Sequence, residues 1–151
     1  MVIKLITPLI LAMFLVGCTL AGGPAKKPQP EQQGKQVQEV VDVDPVLAEK
    51  VKAIVLDVRG VDASTAVVVN KDISIAVTVS GFDRLRLKSI REEIHEKVKQ
   101  LTGEHKIHIS TDKKIFKLLK ELEQEVLAPQ GGQSLQQIKK RLDKINKKMH
   151  G

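Results

Sequence analysis

The stretch from Ile73 to Ser80 constrains the fold of this chain more than any other. Every second residue is a large aliphatic one, with small or polar residues between, in the order Ile-Ser-Ile-Ala-Val-Thr-Val-Ser. Such alternation predicts a strand with one buried face. A second β-rich run, from Ala66 to Asn70, precedes it across two residues. The pair predicts a hairpin in which Asn70 and Asp72 supply the turn chemistry.

Three amphipathic helices flank these strands. The first is predicted to start at Asp44 and Pro45, an N-cap followed by proline at the first helical position, and to end at Gly60. The second is predicted from about Arg84 to Leu101, and the third after Thr111 or Asp112. Their apolar stripes recur at helical spacing and comprise Leu47, Val51, Ile54, Val55 and Val58, then Leu87, Ile90, Ile94, Val98 and Leu101, then Ile115, Leu118, Leu119, Leu122 and Val126.

A third strand is predicted at Lys106 to Ser110, with His108 on the face opposite to its two isoleucines. The order helix, strand, strand, helix, strand, helix predicts a small α+β domain over residues 45–128. We expect the helices to cover one face of a three-stranded sheet. The chain has no Trp or Tyr and three Phe, so its core must be aliphatic.

The first 17 residues are typical of a signal peptide. Lys4 is followed by an uncharged run to Val16, which at about a dozen residues is shorter than the roughly 20 that a transmembrane helix needs. Leu15-Val16-Gly17-Cys18 resembles a bacterial lipoprotein lipobox, which predicts a diacylglyceryl group on Cys18 and attachment to the membrane. The alternatives are an ordinary secreted protein with an unpaired thiol, or a buried structural cysteine.

Residues 18–44 follow the predicted cleavage point and are rich in Pro, Gln, Gly and Lys. This composition buries little apolar surface and predicts a flexible polar tether. A flexible chain of about 26 residues spans roughly 28 Å on average.

Residues 134–150 predict a separate, basic amphipathic helix. Its apolar residues, spaced by three and four, are Leu135, Ile138, Leu142, Ile145 and Met149. Its basic residues, the candidate contacts to a membrane or a partner, are Lys139, Lys140, Arg141, Lys144, Lys147 and Lys148. One hypothesis is that the helix packs on the domain or pairs with its copy. The other is that it lies on an anionic lipid leaflet.

No catalytic, metal-binding or cofactor-binding residues are predicted. Glu92 and His95 lie one helical turn apart, but a di-metal site would need a second such pair and further carboxylates. His105 and His108 would lie on opposite faces of one strand. The chain has no nucleophile-elbow pattern and no phosphate-binding glycine motif. The absence of Trp and Tyr, together with the predicted export, also argues against nucleic acid as a partner.

Three stretches resemble the YhcN/YlaJ family of sporulation lipoproteins from spore-forming Gram-positive bacteria. They are Val67 to Val77, Ile90 to Val98, and Ile107 to Asp112 with Phe116 following. The resemblance implies expression during sporulation, attachment to a spore membrane and a non-enzymatic contribution to spore formation or germination.

Two functional hypotheses follow. The chain is either a lipid-anchored binding or structural module, whose sheet face or basic helix contacts a membrane or an envelope protein, or an accessory subunit or regulator of a cell-wall or germination enzyme.

Overall fold

The computed structural model describes residues 40–128 and 133–150. The predicted signal peptide, Cys18 and most of the predicted tether lie outside the described residues. The elements in chain order are α1 Pro45–Leu56, β1 Val61–Val69, β2 Asp72–Val79, a 3₁₀ turn Phe82–Arg86, α2 Leu87–Thr102, β3 Lys106–Ser110, α3 Lys113–Leu127 and α4 Leu135–His150. The predicted α+β class and the order of helices and strands are confirmed.

The three strands form one mixed sheet in the order β1-β2-β3. β1 and β2 are antiparallel and β2 and β3 are parallel. The predicted hairpin is present, and Asn70 adopts the left-handed conformation (φ 55°) that asparagine tolerates in tight turns. β1 begins at Val61, before its predicted start at Ala66, because its first residues also pair with β2. Asp62, Ser64 and Thr65 interrupt the apolar pattern there.

Helices cover both faces of the sheet, so the prediction that they cover one face is wrong. Alternate β1 residues belong to different cores: Ala66 and Val68 pack with α1 and α2, whereas Val67 and Val69 pack with α3 and α4. The small residues that suggested a solvent-facing side of β2 are buried too, since Ser74 and Ala76 are both 0% exposed. Small side chains give a helix room to approach the sheet.

A short segment before α1 pairs with one end of β1, which is an edge strand of the sheet. The Asp44 N–H donates to the Val68 carbonyl (3.2 Å), and the Asn70 N–H donates to the Asp42 carbonyl (2.8 Å). Val43 forms an isolated bridge with Val69, and Val41 is buried against α3 and α4. The end of the predicted tether therefore runs beside β1 at the hairpin end of the sheet.

The 3₁₀ turn lies at the other end of the sheet and is fixed to the start of β1. The side chain of Asp83 accepts a hydrogen bond from Ser80 Oγ (2.7 Å). Gly60 has a positive φ of 94°, and a Cβ atom there would lie 2.8 Å from Asp83 Cγ. Glycine is therefore required at position 60. Because the 3₁₀ turn occupies residues Phe82–Arg86, α2 starts at Leu87 rather than at the predicted Arg84.

Candidate functional site

The structure packs α4 on the domain. Ile138, Leu142 and Ile145 are buried in one core with Leu119 and Leu122 of α3 and with residues of the sheet. The apolar stripe of α4 is therefore already occupied by protein. Ser74 Oγ also donates to Asn146 Oδ1 (2.7 Å), which bonds the helix to β2 through buried polar groups.

The six predicted basic contact residues of α4 fall into two groups. Lys139 pairs with Asp143 (3.3 Å), and Arg141 pairs with Glu125 of α3. The hydrogen bond from Arg141 to Glu125 raises the pKa of Arg141, outweighing the opposing effect of burial. Within the described residues, the other four are exposed and have no acidic partner. These are Lys140, Lys144, Lys147 and Lys148.

Helix α3 extends this basic surface. Lys113, Lys114, Lys117 and Lys120 are exposed and make no ion pair within the described ranges. We call these four, together with Lys140, Lys144, Lys147 and Lys148, the lysine face. Helices α3 and α4 carry ten basic and four acidic side chains, against six and four on α1 and α2. Three of the four acids, Glu123, Glu125 and Asp143, are bound to basic residues, so the charge of the lysine face is largely uncompensated.

A polar cluster connects the end of α4 to the sheet. His108 of β3 is 3% exposed; its Nδ1 lies 2.7 Å from His150 Nε2, and its Nε2 lies 3.3 Å from Asp72 Oδ1. A carboxylate only accepts, so Nε2 of neutral His108 donates to Asp72 and Nδ1 accepts from His150. A cleft of about 550 Å³, lined by these three side chains together with Lys106, Asp143, Asn146 and Lys147, opens beside them.

The other histidines singled out in the sequence do not join this cluster. His95 lies 3.6 Å from Glu96 on α2, and Glu92 lies 3.9 Å from Lys88. His105 precedes β3, and its Nδ1 lies 2.7 Å from the Thr102 carbonyl. In the part of the chain that the structure describes, no three His, Cys, Asp or Glu residues are arranged to hold a metal ion.

Burial lowers the pKa of His108. The nearby charges of Lys106 and His150 act in the same direction, whereas the hydrogen bond and charge of Asp72 oppose it. In the folded state His108 therefore resists protonation more than it does in the unfolded chain, whose histidine pKa is about 6.5. The domain loses stability as pH falls below that value, because the unfolded chain then binds the additional proton.

Replacing His108 with glutamine should flatten the acid side of the stability profile. Between the unfolded and folded pKa values, wild type should lose up to about 1.4 kcal/mol per pH unit more than the variant, which is the slope for one proton. Urea titrations from pH 7 downward would measure this difference. His95→Gln removes a histidine from the surface of α2 and should keep the wild-type slope. Equal slopes for wild type and His108→Gln would show that folding does not lower the pKa of His108.

A partly buried ion pair lies at the β1 edge and was not predicted. Glu123 of α3 is 8% exposed; it accepts a hydrogen bond from Thr65 Oγ1 (2.6 Å) and one from the Lys52 ammonium group of α1. Burial by itself would lower the pKa of Lys52. The hydrogen bonds and charges of Glu123 and Glu49 outweigh that effect and raise it. The pair links α1 to α3 on opposite faces of the sheet.

The chain matches the model of a known protein family. The family model described as sporulation lipoprotein YhcN/YlaJ matches residues 21–150. No curated protein and no solved structure matches the chain. Across the described residues, none of the helices has the length and apolar character needed to cross a bilayer.

Proposed function

Because the chain belongs to the YhcN/YlaJ family of sporulation lipoproteins, we propose that it is a lipid-anchored, non-enzymatic binding module of the spore envelope. In this proposal Cys18 carries the diacylglyceryl anchor and the domain contacts the anionic surface of the same membrane. The observation that carries the proposal is the lysine face, eight exposed lysines on one helical layer with no acidic partner among the described residues.

The packing of α4 determines what kind of contact the lysine face can make. An interfacial helix buries its apolar side in the bilayer, but the apolar side of α4 is buried in the protein core. The lysine ammonium groups remain free to approach lipid phosphates. Each lysine near an anionic leaflet contributes about 1 kcal/mol, and salt screens that attraction. The proposed contact of this face is therefore electrostatic and sensitive to ionic strength.

Removing charge from the lysine face should weaken binding to anionic vesicles. The chain without residues 1–18 keeps every described contact and is a suitable probe. We expect it to co-sediment with vesicles containing phosphatidylglycerol, but only weakly with pure phosphatidylcholine. The variant Lys140→Gln, Lys144→Gln, Lys147→Gln should bind at least about tenfold more weakly, because three attractive charges are lost.

A matched control removes three lysines from the opposite layer: Lys50→Gln, Lys97→Gln, Lys99→Gln. This variant has the same net charge as the test variant and should bind more like wild type. Equal affinities of the two variants would rule out a specific role for the lysine face. No binding of the wild-type probe at low salt would overturn the membrane contact and favour the alternative, an accessory subunit of a cell-wall or germination enzyme.

The anchor is tested separately in cells. Cys18→Ala should move the protein from the detergent phase of spore membranes to the aqueous phase, because the variant has no thiol to carry the lipid. Fractions from sporulating cells and dormant spores, compared with vegetative membranes, would locate both forms. Unchanged partitioning of Cys18→Ala would refute lipidation at this residue, whatever the vesicle measurements show.

A further inference from the structure

Two large apolar side chains project from the 3₁₀ turn into solvent. Phe82 is 99% exposed and Leu85 is 98% exposed. Residues three apart in a 3₁₀ turn point to the same side, so the two side chains form one small apolar tip. The chain has only three phenylalanines, and full exposure of one of them has no role in the fold. We call Phe82 and Leu85 the apolar tip.

The turn that carries the apolar tip is held in place. Asp83 accepts from Ser80 Oγ, and its N–H donates to the Ser80 carbonyl (3.2 Å). Arg86 pairs with Asp83 (3.4 Å), and Ser89 Oγ donates to the Arg86 carbonyl (3.0 Å). The apolar tip is therefore displayed on an ordered turn, and exposing it does not require the turn to unfold.

Basic residues surround the apolar tip and continue toward the lysine face. Arg84, Arg86 and Lys88 are exposed within or directly after the turn. Arg91 comes next along α2 and lines two clefts, one with Lys88, Glu92 and Glu96, the other with Lys114, Lys148 and Asp112. Arg84 and Arg91 have no acidic partner among the described residues, whereas Arg86 pairs with Asp83 and Lys88 with Glu92, so Arg84 and Arg91 are the cations beside the apolar tip that are available to a phosphate.

We propose that the apolar tip inserts into the interfacial region of an anionic bilayer, while the surrounding arginines and lysines contact its phosphates. The inference rests on the proposed function, in which the lipid anchor holds the domain at a membrane. It adds an apolar contact at the turn to the electrostatic contact of the lysine face.

The size and charge of the surface favour lipid over protein. One aromatic side chain buries about 150–250 Å², so two side chains fall well short of the roughly 800 Å² per partner that a stable protein interface requires. Binding to a bilayer does not require so large an interface. The two protruding apolar side chains can enter the acyl-chain region while the flanking cations contact the phosphates.

A tryptophan in place of Phe82 would test the insertion directly. The chain has no native Trp, so Phe82→Trp introduces a single fluorophore. In the chain without residues 1–18, its emission should shift to shorter wavelength on adding phosphatidylglycerol vesicles, and lipids brominated on the acyl chains should quench it. Val46→Trp, at an exposed position of α1 near the hairpin end of the sheet, should do neither. An unchanged emission spectrum of Phe82→Trp on vesicles that bind the protein would overturn the proposal.

A pair of truncations gives the affinity. Phe82→Ala, Leu85→Ala should bind at least about tenfold more weakly than wild type, whereas the control Val46→Ala, Leu56→Ala, at exposed positions of α1, should bind as wild type does. If only the lysine-face variant loses binding, the apolar tip is refuted and the proposed function stands. If only the tip variant loses binding, the reverse holds. A blue shift of the Phe82→Trp variant that grows with protein concentration without vesicles would identify a second copy as the occupant and overturn the lipid assignment.

Discussion

Replacing Glu123 with alanine is expected to destabilise the domain by about 2 kcal/mol, because the change leaves the buried Thr65 hydroxyl without its acceptor and removes one of the two carboxylates that pair with Lys52. Glu123 is the acceptor for both Lys52 and Thr65, and it is 8% exposed. For a domain of this size the loss corresponds to a fall in Tm of about 10 °C or more. Thermal and urea unfolding followed by circular dichroism would measure it.

Two further variants isolate the cause. Glu121→Ala lies on the exposed side of the same helix and should change stability by less than about 0.5 kcal/mol. Replacing both ionic partners, as Lys52→Met with Glu123→Leu, should recover only part of the loss, since apolar side chains replace the ion pair while the Thr65 hydroxyl still lacks its acceptor. A Glu123→Ala variant as stable as Glu121→Ala would show that the ion pair does not stabilise the fold.

Truncating Leu142 to alanine is expected to cost about 3 kcal/mol, within the range for a buried leucine. Leu142 is 1% exposed and lies in the core formed by α3, α4 and the sheet, whereas Leu135 at the start of α4 is 50% exposed. Leu135→Ala should therefore be nearly neutral. The loss in Leu142→Ala should appear in one cooperative unfolding transition that includes the strands.

The Leu142 result also decides how α4 can behave at a membrane. If α4 could leave the domain, Leu142→Ala would melt this helix alone and leave the main transition at its wild-type midpoint. That outcome would contradict the packed helix and restore the hypothesis that its apolar side enters the bilayer. A single shifted transition would confine α4 to contacts through its lysines.

The strands and helices of this chain can be predicted from its sequence because each has a regular apolar period. The arrangement of the helices in layers on the sheet is harder to predict. Ser74 and Ala76 alternate with isoleucine and valine, and a period of two says that a strand has two different faces without saying what covers the smaller one. The answer depends on α3 and α4, whose apolar stripes could equally have met each other or a second copy.

The buried polar contacts could not be predicted from the sequence, for a different reason. Thr65 and Glu123 are 58 positions apart, and His108 and His150 are 42 apart, so their pairing depends on how the elements pack. Glu123 does carry a signal, because it lies four residues after Leu119 and directly after Leu122 on an apolar stripe. The exposure of the α4 lysines followed from composition, and the pairing of Lys139 with Asp143 fits their spacing of four, but the pairing of Arg141 with Glu125 depends on how α4 packs on α3.

The segment beside β1 fixes the point at which the predicted tether would leave the domain. It meets the sheet at Val69, whereas the turn bearing Phe82 and Leu85 follows the other end of the hairpin, and β1 spans roughly 26 Å between them. If the domain rested on that turn, the predicted tether would leave it at the far end, about one strand length above the lipid. Residues 19–40, the part of the predicted tether that precedes this segment, would span roughly 26 Å on average as a flexible chain, which is enough to reach the bilayer without being stretched.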